Sequence, residues 1–239
     1  MVALDLRTHE GVAEHSDGRQ YRVPLAPDRP VGEVTRELLA AVAALSGPVK
    51  LSFRPQETSW TTPLDEDEEH ATYDSAQAAT YFEAATRAAL VLGAFRAPFR
   101  GRSTPVNAWW GSFDLAVNLF SGSPADPPSG DFIMRNAMNA QEVAVGWWPG
   151  SEHYPRAAFF SYAFPSAEGL DTAALSPPAA HWEAELGEYV LDWDDVRRDP
   201  DPHGSALEFA RSAVKHACTV CGWDPGLAAS ASGATAPVS

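Results

Sequence analysis

Apolar and polar residues alternate from Val2 to Arg7, break at Ser16-Asp17-Gly18 and return from Tyr21 to Leu25. A two-residue period around a turn predicts a hairpin of half-buried strands. The period then lengthens: Val31, Val34, Leu38, Val42 and Leu45 recur at three- and four-residue steps, with Pro30 where a first helical turn tolerates it and Gly47 as a stop. Val49 to Phe53 predicts a further short strand, followed by extended chain up to the acidic run Asp65-Glu66-Asp67-Glu68-Glu69. Asp74 is a candidate N-cap for a second helix reaching about Phe95, which carries Tyr81, Phe82, Ala85, Ala89 and Leu92 along one side and is expected to be the central core helix.

Beyond it the pattern predicts strand from Val106 to Phe120, a Pro/Gly loop from Gly122 to Gly130 and a short helix around Phe132 to Ala140. Three more strands are expected at Glu142 to Trp148, Ala157 to Phe164 and Glu188 to Trp193, with a loop from Pro165 to Pro178. Ser205 and Glu208 have the spacing of a capping box, opening a helix through Leu207, Ala210, Val214 and Ala217 that stops at Gly222. Runs of antiparallel strand interrupted by three main helices give an α+β fold. Residues 1–225 are expected to form one domain, and a weak echo between its early and late strand–proline–helix segments leaves open a degenerate internal duplication with halves near 1–72 and 73–225. The small, polar residues 226–239 are expected to be a disordered tail.

Composition narrows the function classes. The 239 residues are 45% apolar and 10% aromatic, enough for a substantial core. The net charge is −15 and the basic residues are scattered, so a nucleic-acid partner or an anionic membrane surface is not expected. No apolar run approaches the roughly 20 residues needed to span a bilayer, and Met1 to Asp5 lacks a secretion signal, which places the chain in the cytoplasm. The acidic run should repel itself and stay in water. Cys218 and Cys221 form a single C-x-x-C with no second pair and no histidines at ligand spacing, so no metal or cofactor is expected and structural thiols are the favoured reading.

Candidate chemistry centres on two tryptophan doublets, Trp109-Trp110 and Trp147-Trp148, because aromatic pairs suit either a core or a ligand wall. On strands, Phe113, Leu115, Val117 and Leu119 share one side and Ser112, Asp114 and Asn118 the other; Glu142, Ala144, Gly146 and Trp148 share a face opposite Val143, Val145 and Trp147. If the polar faces meet, Trp110, Asp114, Asn118, Glu142, Trp148 and Tyr162 form a ligand-binding cleft, with Asp114 and Glu142 as carboxylates able to divide acid and base roles. The competing reading puts the tryptophans in the core and leaves Asp114 capping a turn or paired with an arginine and Glu142 in water. Ser112 lacks the second glycine of a nucleophile elbow, and phosphate loops are absent. Asp199 to His203 lacks the carboxylate that would close a calcium loop, and His153 and His203 read as a solvent-facing loop histidine and part of a helix start. No catalytic residue is assigned.

The motifs WGSFDL (Trp110 to Leu115), F-S-G (Phe120 to Gly122), Glu142 with G-x-W-P-G (Gly146 to Gly150), F-S-Y-A-F-P (Phe160 to Pro165) and G-E-Y-V-L (Gly187 to Leu191) occur in one order. In these the chain resembles a bacterial protein family known as a domain of unknown function, with similarity also around Phe95-Arg96 and the acidic run. The resemblance implies no activity, substrate or catalytic residue. Members usually carry a further segment ahead of the position of Met1, so the chain is either a shortened variant or starts earlier, and if the strand at Val2 loses a neighbour an exposed sheet edge follows. The sequence therefore points to binding of a small polar or aromatic ligand, with a hydrolase-like enzyme or a non-catalytic interaction protein as alternatives; it does not fix the oligomeric state.

Overall fold

A computed structural model describes residues 1–55, 60–151 and 153–233. The fold is α+β, with a three-stranded and a six-stranded sheet, both antiparallel, and six helices among the described residues. The chain divides into two compact units, Met1–Ala84 and Ala85–Ser239.

The first unit holds strands β1 (Val2–Asp5), β2 (Glu10–Glu14) and β3 (Gln20–Pro24) in that spatial order, then helix α1 (Val31–Ser46). The sequence pattern supplied β1 and β3 but not β2, whose buried Val12 and Ala13 break the alternation. Ala13 packs with Ala41, Val42 and Leu45 of α1. Pro30 stands at the N-cap of α1 rather than inside it, and Gly47, at φ 90°, ends it. No strand forms over 49–53.

The acidic run departs from expectation. Instead of staying wholly in water, it folds onto the start of α1: the amides of Val31 and Gly32 donate to the carbonyls of His70 and Asp67 at 2.9 and 2.7 Å. Two otherwise unpaired helix-terminal donors are thereby satisfied. Gly32 is required for that approach, since a Cβ there would lie 2.9 Å from the Asp67 carbonyl oxygen. Asp67 is only 2% exposed and accepts from the amides of Glu69 and His70, while its second oxygen meets the His70 ring at 2.8 Å. Arg36 holds Glu68 at 2.9 Å, which offsets part of the like-charge repulsion. Replacing Asp67 by alanine strands the part-buried amide donors of Glu69 and His70 and is expected to cost about 1 kcal/mol of stability, read by urea denaturation.

Helix α2 (Ser75–Arg96) starts as expected, with Asp74 accepting from the amides of Ala76 and Gln77, and the boundary between the units falls within it. In the second unit come β4 (Asn107–Trp109), β5 (Asp114–Pro124), α3 (Phe132–Ala137), β6 (Ala140–Trp148), β7 (Ala158–Phe164), β8 (His181–Glu183), β9 (Glu188–Asp192), α4 (Trp193–Arg198), α5 (Pro202–Val220) and α6 (Pro225–Ala231). The strands lie in the order β4-β5-β6-β7-β9-β8.

One face of this sheet is the core. Val117, Leu119, Val143, Val145, Trp147, Phe159, Tyr189 and Leu191 are fully buried on it, and α5 lies against β6, β7 and β9. Ala206, Phe209, Ala210, Ala213, Val214 and Ala217 form the buried stripe of α5, whose alanines let the helix sit close to the sheet. Phe113, expected to share this core, instead lies exposed in the β4–β5 turn with φ at 56°. The capping-box reading also changes: α5 opens four residues earlier, with Asp201 in place of Ser205 as the N-cap and accepting from the Gly204 amide, Ser205 buried inside the helix and Glu208 accepting from Ser176 at 2.8 Å. Pro202 carries no amide hydrogen, so it fits the first turn better than Ser205 fits the cap.

Residues from 226, expected as a tail, begin with α6, capped by Asp224 and buried at Ser230 and Ala231. The rest of that expectation, 234–239, lies outside the described residues. No helix among the described residues is long and apolar enough to cross a membrane.

Candidate functional site: a polar cluster on the second sheet face

Register decides which side chains share the other face of the six-stranded sheet. Asn118 stands opposite Ala144, Phe120 opposite Glu142, and Ala144 opposite Tyr162. Ser161 pairs with Tyr189, so the next pair outward is Tyr162 with Glu188, on the side away from α5. Four adjacent strands thus bring Asn118, Glu142, Tyr162 and Glu188 to one surface, above a floor of Ala116 and Ala144.

Glu142 lies deepest, at 4% exposure. The Asn118 side-chain amide donates to its Oε1 at 3.1 Å, and the Tyr162 hydroxyl interacts with both Glu142 and Asn118. Burial pushes the Glu142 carboxyl up, and these two hydrogen bonds pull it partly back. Glu188 is pushed up to about 7, first by burial and then by the charge of Asp114. The Tyr162 hydroxyl is raised by burial and by the charges of Glu142, Glu188 and Asp114, so it keeps its proton. The Asn118 Oδ1 is buried without a hydrogen-bond partner among the described residues, leaving an acceptor that suits an incoming N–H or O–H.

Of the six residues singled out from sequence, Asn118, Glu142 and Tyr162 come together. Asp114 shares their face but sits six strand positions from the residue opposite Glu142, roughly 20 Å along β5. Its charge acts on Tyr162 and Glu188, and the Ser112 hydroxyl donates to it. Trp148 lies at the far end of β6, edge-on to Tyr154 at 5.7 Å and tilted on Phe160 at 4.9 Å. It belongs to an apolar cluster with Tyr154, Ala158 and Val190, so it does not wall Glu142. Trp110 is 52% exposed in the β4–β5 turn.

Two features escaped the sequence reading. Glu188 was hidden in an apolar strand, although Glu188, Val190 and Asp192 alternate with the buried Tyr189 and Leu191. The second is a clamp on Asp192: the Tyr154 hydroxyl donates to it at 2.7 Å and Arg156 approaches it at 2.6 Å, with the guanidinium 4.6 Å above the Tyr154 ring. Its groups satisfy one another, which makes it a fastening of the loop after β6. His153 occupies that loop and is exposed, while His203 lies in the first turn of α5.

At the end of α5, burial and then the neighbouring Cys221 push the Cys218 thiol up to about 12, and burial raises Cys221. Thiols so shifted are poor nucleophiles, in keeping with a structural role. Among the described residues no group of three or more His, Cys, Asp or Glu side chains is arranged to hold a metal ion.

No curated protein and no solved structure matches the chain. The family model matches residues 1–230, and the chain belongs to DUF5996, a family of unknown function.

Proposed function

We propose that this is a cytoplasmic protein that binds a small polar ligand on the second face of the six-stranded sheet, at Asn118, Glu142, Tyr162 and Glu188. The observation that carries the reading is the convergence of these four side chains from four strands onto a floor of small residues, with one buried acceptor left over at Asn118. A carboxyl that holds its proton up to about 7, as Glu188 does, both donates and accepts, so the cluster suits a ligand rich in N–H and O–H groups. The tryptophan-lined cleft is replaced in this reading by a tyrosine and carboxyl cluster, with Phe160 stacked on Tyr162 at 6.3 Å as the adjoining apolar surface.

Native mass spectrometry of protein purified gently from its host tests it. A reproducible small adduct on the wild type, lost from the Asn118→Ala variant, is the expected result. An equal adduct on both chains contradicts the site, and a bare mass for both contradicts tight binding.

A hydrolase-like reading has one observation in its favour: Glu188 titrates near 7 and lies beside Tyr162 under the influence of the Asp114 charge. Carboxyls whose proton affinities differ can divide acid and base work. A bell-shaped pH dependence of turnover with one limb near 7, lost in Glu188→Gln, is its signature.

A further inference from the structure

We draw no further inference here: the strongest candidate, the exposed aromatic patch of Trp109, Trp110 and Phe113 at the β4–β5 turn, carries nothing because nothing in the structure shows what covers it.

Discussion

Replacing Gly146 by alanine is expected to destabilise the second unit by about 3 kcal/mol or more, at the upper end of what overpacking costs. Gly146 sits mid-strand in β6, between Ala116 on β5 and Phe160 on β7. A Cβ there would lie 2.2 Å from Cζ of Phe160 and 2.5 Å from the backbone oxygen of Leu115. The ring can swing away only by leaving its packing against Trp148 and Tyr162. The Leu115 carbonyl cannot yield without disturbing the β5–β6 ladder. Glycine in a strand interior is ordinarily unfavourable, so its presence here marks a close approach. Urea denaturation of Gly146→Ala should show a lower midpoint; an unchanged midpoint would mean that the Phe160 ring does not cover the strand.

The second large effect is a gain. Glu188→Gln is expected to stabilise the protein at pH 8 by up to about 3 kcal/mol and to change little at pH 4. The sign follows from proton linkage. The Glu188 carboxyl ordinarily ionises at 4.5, but in the folded chain it holds its proton up to about 7. Between those values the folded state binds more protons than the unfolded state, so stability falls as pH rises through that window and levels off above it. Glutamine keeps the shape and removes the charge that burial penalises. Stability curves of wild type and variant should therefore meet at low pH and separate between about 4.5 and 7. Parallel curves would show that Glu188 is solvated in the folded state.

Helices were legible from a cap or from a stripe: Asp74 marks the start of α2, and the spacing from Val31 to Leu45 marks α1, whose N-cap Pro30 makes no side-chain cap hydrogen bond. The capping pattern at Ser205 misled because Asp201 and Pro202 offered the chain a better start. β2 was missed because adjacent buried residues erase alternation, and β8 because three residues are too short to show any.

Strand periodicity grouped Asn118 with Asp114 on β5 and Glu142 with Trp148 on β6, since the two-residue period fixes facing within each strand, and left the meeting of those faces to the pairing. It could not supply the registers that set Asn118 and Glu142 beside Tyr162 and Glu188 or carry Asp114 away from Glu142; the separation of Trp148 from Glu142 lies within β6 itself. Those registers depend on pairing between strands separated by loops of different length, which local pattern does not encode. The acidic run shows the same limit. Like charges predict repulsion, yet the Asp67 side chain serves as a turn acceptor and its carbonyl as a helix-terminal acceptor, roles set by tertiary position.

The binding proposed for the cluster of Asn118, Glu142, Tyr162 and Glu188 requires carboxyls withdrawn from water, with proton affinities raised by burial. The most direct test is a carbon-detected NMR titration of the glutamate side-chain carboxyls, with Glu188 assigned through Glu188→Gln. The account predicts a Glu188 midpoint near 7, and a Glu142 midpoint above the ordinary glutamate value of 4.5. Midpoints for both residues at the ordinary value would place the carboxyls in water and contradict the site.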